Sequence, residues 1–486
     1  MTRPLPLPIP SSAHRAAAGM ASRVVASDEM VAVGARARAA ALAMARVDGA
    51  TKDAALAAIH DALTAAKDEI LAANAADKAA AAGRVAAGGL PAATAKRLEL
   101  GGAKFGALLD GVASVRRLAD PVGTVSMATR LDDGLDLYRV ACPIGVIAVV
   151  FEARPEAAVQ IASLAVKSAN AVILKGGKEA EQSNAVLVRA MRAGLTAAHF
   201  PVDAVQLVAT RGEVAQLLSL TNHIDLVIPR GSNALVKYIT DNTKIPVMGH
   251  ADGLCAVYVD AAADADKAVS IVVDAKAQYP AVCNATETVL VHAGVADALL
   301  PRLAAGLAAA GVDVRADKRA YAALTAAGAD HGAAVTRATA ADWGTEFLEL
   351  TVALGVVDSL DAAVDHINAH GSHHTDAIVT EDGAAAAAFL ARVDSAGVFH
   401  NASTRFADGF RYGFGAEVGV STHRTHARGP VGLEGLMIYK YRLYGGGHTV
   451  APYATGAKSF AHTPLPLVDP HVEGEGKVNG DACHRR

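Results

Sequence analysis

From Val146 onward, short runs of β-branched and aliphatic residues alternate with runs of helical spacing: VIAVVF, AAVQIASLAVKSAN, AVILKG, EAEQSNAVLVRAMRAGL, AVQLVA, GEVAQLLSL, IDLVIPRG and SNALVKYITDN. Strands that are apolar throughout need cover on both faces, and a strand–helix–strand order supplies it through right-handed crossovers around a parallel sheet. A second α/β block is expected from about Cys255 to Thr380, opening with CAVYVD and ADKAVSIVVDAKAQ. Ahead of the first block, residues 28–116 are rich in alanine with leucines and charges at helical spacing, which predicts several amphipathic helices. Between the two lies MATRLDDGLDLYRVACP, a hairpin pattern that turns at Asp132-Asp133-Gly134.

Composition narrows the partners. The chain has 486 residues, 52% hydrophobic and 19% charged, enough for a large core and two or three domains. Lys plus Arg is 45 against 49 Asp plus Glu, a net charge of −4, and aromatics make up 4%; neither a basic surplus nor a base-stacking platform is present, which excludes a general nucleic-acid binder and favours a small-molecule partner. The intensely apolar run Val146–Phe151 meets Glu152 and Arg154 at once, so no membrane span is expected. Four cysteines, at 142, 255, 283 and 484, form no C-x-x-C pair, arguing against a disulfide scaffold or structural metal site and for a reducing compartment. Residues 1–27 hold Arg3, Arg15 and Arg23 with no acid before Asp28, a composition shared by disordered extensions and organelle transit peptides. From Thr449 the chain turns rich in Pro, His and Gly, and disorder is expected there.

No G-x-G-x-x-G marks a strand-to-helix turn, and Lys175-Gly176-Gly177-Lys178-Glu179 lacks the Ser or Thr of a Walker A loop. Gly176-Gly177 and Arg230-Gly231-Ser232 nevertheless stand where a strand gives way to a helix, a place suited to phosphate, though glycine there also serves simple chain reversal. Cys283, between a helical run and the strand ETVLVH, is open to two readings, a nucleophile or a small buried hydrophobe. The run His366 to Asp376 gathers His366, His370, His373 and His374 without an H-E-x-x-H frame, and a solvated or packing role is expected for them rather than a metal site.

The stretch PIGVIAVVFEARPEAAVQIASLAVKSANAVILKGGKEA, with IDLVIPRGSNALVKYI, KIPVMGHADGLCAVYVD, DAKAQYPAVCNATETVLVH, GSHHTDAIVTED and FGAEVGVSTHRTHARGPVGLEGLMIYKY, resembles the γ-glutamyl phosphate reductase family of the aldehyde dehydrogenase superfamily. The resemblance spans about Asp28 to Tyr441. It implies an α/β, aldehyde dehydrogenase-like fold: a Rossmann-type cofactor domain (28–126 and 143–254), an oligomerisation hairpin (127–142), an α/β catalytic domain (255–429) and a C-terminal oligomerisation segment (430–448), between an N-terminal extension (1–27) and a tail (449–486). The activity implied is NADPH-dependent reduction of L-glutamyl 5-phosphate to L-glutamate 5-semialdehyde with release of phosphate, the second step of proline biosynthesis from glutamate. A homo-oligomer in the cytoplasm is expected, with the N-terminal extension leaving organelle import open. Nothing here resembles a glutamate 5-kinase, so the acyl phosphate is expected from a separate kinase in transient contact. Two alternatives stay open: a same-fold enzyme for another acyl phosphate or acyl-CoA, and a silent scaffold without thiol reactivity.

The resemblance also assigns residues. Cys283 takes the nucleophile position, forming a thioester that hydride then reduces. The oxyanion is expected to be met by the Cys283 N–H and the Asn284 side chain. The glutamate that activates water in oxidising relatives falls near Gly249, and VMGHADGLCAVYVD contains no Glu, which suits a thioester to be reduced rather than hydrolysed. Arg154 replaces an asparagine and is expected to hold the phosphate or a substrate carboxylate, with a salt bridge to Glu152 as the alternative. Lys175 is implied at the adenosine ribose, Lys178 near a 2′-phosphate, Gly231 and Ser232 at the pyrophosphate, and Glu346 at the nicotinamide ribose, although Leu348-Glu349-Leu350 departs from the family's usual Phe-Gly-Pro. Asn401, Ser403 and Arg405 are expected at the amino-acid end of the substrate.

Overall fold

A computed structural model describes residues 26–208, 212–249, 252–326 and 335–471. Five helices come first: α1 (Asp28–Met44), α2 (Gly49–Ala65), α3 (Lys67–Ala86), α4 (Ala92–Lys96) and α5 (Ala103–Arg117). Ser27 and Asp48 cap the first two, accepting from Met30 N and Thr51 N, as short polar side chains do at orphaned helix N–H groups. The expected hairpin follows as β1 (Val125–Asp132) and β2 (Leu135–Pro143), with Gly134 supplying the positive φ of its turn.

The first α/β block runs β3 (Val146–Phe151), α6 (Pro155–Lys167), β4 (Ala171–Lys175), α7 (Glu181–Ala197), β5 (Val205–Leu207), α8 (Gly212–Leu217), β6 (Leu226–Arg230) and α9 (Asn233–Asp241). Its parallel sheet has the order β5-β4-β3-β6. Strand order reverses between β3 and β6, and such a switch point opens a crevice at the strands' carboxyl ends where dinucleotides bind. Every residue of β3 and β4 is buried, which explains their unbroken apolar pattern.

The second block runs β7 (Cys255–Val259), α10 (Ala265–Ala277), β8 (Thr286–His292), α11 (Ala293–Ala309), β9 (Asp313–Ala316), α12 (Lys318–Ala326), β10 (Val335–Arg337), β11 (Thr351–Val357), α13 (Leu360–His370), β12 (Thr375–Val379), α14 (Gly383–Arg392) and β13 (Gly397–His400). Its sheet is parallel throughout, in the order β10-β9-β11-β8-β7-β12-β13. Then come the small pair β14 (Gly419–Ser421) and β15 (Gly429–Val431), followed by β16 (Met437–Tyr444), α15 (Ala451–Ala454) and β17 (Thr463–Pro464). The hairpin lies in a sheet ordered β16-β2-β1-β17.

Two expected boundaries are corrected. The segment 255–429 expected as one catalytic unit overruns the second block: Ala416, Val418, Ala427, Val431, Leu433 and Leu436 pack into the core of the first block. The chain therefore returns to the first block by about residue 416 through irregular backbone that carries no periodic signal. The tail from 449 was expected to be disordered, but residues 449–471 fold onto the hairpin: Ala461 N donates to Leu131 O at 2.8 Å, Leu465 N to Ala128 O at 3.0 Å, and Tyr453 Oη to Asp132 Oδ2 at 2.7 Å. Stacked Tyr453 and Phe460 rings, 4.4 Å between centroids, supply a small apolar anchor that Pro and Gly content conceals. Residues 1–25 and 472–486, for which an extension and the rest of the tail were expected, lie outside the described residues.

Helix α7 crosses α2 at Gly194, where an added Cβ would meet Ala58 O at 2.6 Å and Ile59 Cα at 2.7 Å. Those are backbone atoms and cannot rotate away. Ala has better helix propensity than Gly by about 1 kcal/mol, but overpacking typically costs about 1–3 kcal/mol, and more against backbone. Gly194→Ala is therefore expected to lower stability by about 1–2 kcal/mol in urea unfolding; an unchanged or raised midpoint would show that the helices separate freely.

Candidate active site

The site forms where the carboxyl edge of the first sheet faces the amino edge of the second. Strands β8, β7 and β12 are neighbours in that order, so the residues just ahead of each meet. Cys283 lies three residues before β8, Cys255 opens β7, and His374 immediately precedes β12. His374 Nε2 is 3.2 Å from Cys283 Sγ, its Nδ1 is 3.0 Å from Thr375 Oγ1 and 3.7 Å from Cys255 Sγ, and Cys255 Sγ donates to Cys283 O at 3.2 Å. Gly253 is pressed against the same turn: a Cβ there would stand 2.3 Å from Cys283 O and 2.4 Å from Cys283 Cα. Cys283 is half-buried, whereas Cys255 is sealed, and burial pushes the Cys255 thiol well up.

His374 is a correction to the expected packing or solvated role of the histidine run. It is fully buried and touches Cys283. Its companions behave as expected: His366 packs edge-on to Trp343 and beside His370, burial pulling it down to about 4, while His373 Nδ1 lies 2.6 Å from Asp394 O. Among the described residues no group of three or more His, Cys, Asp or Glu could hold a metal ion.

Arginines surround the thiol. Arg154, at the N-cap of α6 ahead of Pro155, is pulled down by burial and then by Arg230 and Arg97, while Glu156 and Cys283 pull it up. It makes no ion pair among the described residues, so the alternative of a salt bridge to Glu152 is not what the fold uses. Arg97 Nη2 donates to Ala281 O at 3.1 Å, and Arg230 pairs with Glu417 at 3.2 Å. On the other side Arg405, buried on a short 3₁₀ turn, donates from Nε to Gln278 Oε1 at 3.0 Å and also couples electrostatically to Cys283.

Three residues expected at the reacting group or the substrate also bond to the scaffold. Asn284 donates from Nδ2 to Ala407 O at 2.8 Å, and its buried Oδ1 has no partner. Asn401, at φ 51°, spends its amide on Thr380 N and O, each at 3.0 Å. Ser403 Oγ accepts from Arg405 N at 3.3 Å and starts the turn that aims Arg405. Glu346 lies beside the buried Lys276–Glu287 pair, 2.5 Å apart, in which burial lifts Glu287 to about 7 and lowers Lys276. Leu348 N donates to Glu287 Oε1 at 3.4 Å, tying this loop to β8.

A dinucleotide fits the crevice. At Gly176 and Gly177 neighbouring side chains lie against the backbone, where a Cβ would meet Asn184 Nδ2 at 2.1 Å and Glu179 Oε1 at 1.9 Å. Asn184 is buried there with both amide atoms unpartnered. Lys175 is buried at the end of β4 and donates to Gly176 O at 2.5 Å, and Lys178 is exposed on the next turn. At β6, Ser232 N donates to Glu152 Oε2 at 2.8 Å: a carboxylate already occupies the N-terminus of α9, beside Gly231, as an anion would.

Asp376 is fully buried on β12, accepting from Ala256 N at 2.6 Å and Ser395 Oγ at 2.5 Å, and burial pushes it up to about 6. The folded state thus holds this proton more tightly than the unfolded chain, so its stabilising contribution is complete below about pH 4 and is lost as pH rises through about 6. Asp376→Asn, which cannot ionise, should remove that slope; comparing urea unfolding near pH 4 and pH 7, the fall seen in the parent should shrink by on the order of 2–3 kcal/mol, and identical slopes would refute the assignment.

The aldehyde dehydrogenase family model matches residues 13–327. The chain is 53% identical over 430 residues to γ-glutamyl phosphate reductase 1 of Synechocystis, covering 88% of this chain and 96% of the relative. It is 50% identical over 437 residues to γ-glutamyl phosphate reductase of Nostoc punctiforme, covering 90% and 98%. Among solved structures, γ-glutamyl phosphate reductase of Thermotoga maritima superposes with a TM-score of 0.82 at 36% identity, over 87% of this chain and all of that one. The chain is therefore an oxidoreductase that belongs to the aldehyde dehydrogenase family, in its γ-glutamyl phosphate reductase branch.

Proposed function

We propose that the protein reduces L-glutamyl 5-phosphate to L-glutamate 5-semialdehyde with NADPH, releasing phosphate, through a thioester on Cys283. The observation that carries this reading is one half-buried thiol in electrostatic reach of Arg154 and Arg405, the charge that a substrate bearing a phosphate and a carboxylate requires. Cys283 Sγ attacks the acyl carbonyl, and the bond from carbon to the phosphate oxygen breaks. Arg154, with Arg97 and Arg230 behind it, orients and neutralises the departing phosphate. The Cys283 N–H meets the oxyanion. When bound, NADPH supplies the hydride that reduces the thioester. Cys283 Sγ then leaves as a thiolate and frees the aldehyde. No glutamate occurs between Lys244 and Asp260 to activate water against the thioester, and Asp252 is hydrogen-bonded to Asn233.

Lys175 and Lys178 line the adenosine end, Gly231 and Ser232 the pyrophosphate, and Glu346 the nicotinamide side. Arg405 anchors the amino-acid end, with Ser403 and Asn401 shaping its loop. We place assembly with a second copy on β16, an edge strand that exposes Ile438, Tyr439, Tyr441 and Leu443. The cysteines at 142, 255 and 283, none of them in a disulfide, suit a reducing cytoplasm, where a separate kinase supplies the acyl phosphate.

The reverse reaction tests the substrate and the nucleophile together: L-glutamate 5-semialdehyde should reduce NADP only when phosphate is added, and Cys283→Ala should abolish this while Cys283→Ser lowers it about a thousandfold or more. Phosphate-independent oxidation, or full activity without Cys283, would overturn the reading. Lys178→Glu is expected to raise the KM for NADPH about tenfold while leaving that for NADH lower or unchanged; equal losses with both cofactors would remove Lys178 from 2′-phosphate recognition.

A further inference from the structure

His374 bridges two thiols. Cys255 Sγ–H is directed at Cys283 O, so it is not the donor to His374 Nδ1. Thr375 Oγ1 at 3.0 Å and the Cys255 sulfur at 3.7 Å can each accept a proton carried on Nδ1. An imidazole whose proton sits on Nδ1 presents a lone pair at Nε2, and Nε2 is the atom 3.2 Å from Cys283 Sγ. Ring orientation is fixed because His374 is fully buried between the starts of β7 and β12.

We infer that His374 is a catalytic base for Cys283, taking the thiol proton onto Nε2 and holding the enzyme as a thiolate–imidazolium pair. The inference rests on Cys283 being the nucleophile but not on which acyl phosphate it attacks. The Sγ–H bond breaks, its electron pair stays on sulfur, and the new Nε2–H bond keeps the proton through the cycle. Sγ bonds to the acyl carbon as the carbon–oxygen bond to phosphate breaks, and the leaving phosphate takes its proton from solvent, the one proton the overall reduction consumes. When the carbon–sulfur bond later breaks, sulfur departs with the electron pair beside a positive ring, which favours collapse to the aldehyde. Among the described residues, the charged and titratable groups facing this pair include Cys255 on β7, Asp376 on β12, and Arg154 and Arg405 beside Cys283, with Glu287 and His373 acting on Cys255 and Asp376 in turn. The two arginines favour the thiolate without accepting its proton, whereas His374 Nε2, 3.2 Å from Cys283 Sγ, can take it.

The test reads Cys283 in the enzyme without substrate. Iodoacetamide alkylation, mapped by peptide mass, is followed from about pH 5.5 to 9.5 in the parent, His374→Asn and His374→Gln. The parent should alkylate at Cys283 with a midpoint well below that of an ordinary thiol, about 8.5. In the variants the rate near pH 7 should fall about tenfold or more and recover toward the parent value near pH 9.5, with kcat falling and the Kd for NADPH unchanged. A parent midpoint in the ordinary thiol range overturns the inference without any variant. Unchanged profiles in folded, NADPH-binding variants overturn it as well. Loss of phosphate dependence with the alkylation shift intact would instead strike the substrate assignment and leave the base in place.

Discussion

The parallel ladder that sets β8 beside β7 and β7 beside β12 is the constraint on which the site depends. Register in such a ladder is tied to which face each side chain takes, so a slip of one residue would turn the whole set over. Pairing Cys255 with Thr286 and Val257 with Ala377 fixes where the incoming loops end, and so fixes the separation of Cys283 from His374. Small residues make the junction possible. Gly253 admits the Cys283 backbone at a distance no side chain would tolerate, and Cys255 fills the space beneath with a thiol that braces the Cys283 carbonyl.

Electrostatics then gives this junction its preference for anions. Arg97, Arg154 and Arg230 converge from the side of the first block and Arg405 from the second, and burial works against the charge of Arg154 and Arg405. A desolvated guanidinium without a carboxylate partner is costly to keep, and truncating one member of a buried pair elsewhere in proteins costs about 3–5 kcal/mol for the same reason. Arg230 has Glu417; Arg154 makes no such pair among the described residues. An anion bound at Arg154 would therefore relieve a penalty already present in the fold.

Much of the fold was legible in the sequence. The eight runs after Val146 and the turn at Asp132-Asp133-Gly134 appear as read, because unbroken apolar strands and helical periodicity are local properties. The place of Cys283 came from resemblance rather than spacing. His374 was not legible: within a histidine-rich run, nothing local says that the strand after it lies beside β7, and only strand order brings it to the thiol. Local chemistry likewise said nothing of the scaffold bonds that Asn284 makes to Ala407 O and Asn401 to Thr380, because both partners are distant in the chain. The return of residues 416–436 to the first core, and the docking of 449–471 on the hairpin, depend on partners more than a hundred residues away.

That docked tail closes one side of the hairpin sheet. In the order β16-β2-β1-β17, the outer strand β17 is two residues long and ends in Pro464, which has no N–H to offer a further strand. The opposite edge, β16, is eight residues long. A sheet that can add a strand on one flank only has a terminus built into it: joined edge to edge with its like, it forms a finite pair whose outer rims are both blocked, and runaway strand addition of the kind that produces fibres has no surface from which to continue.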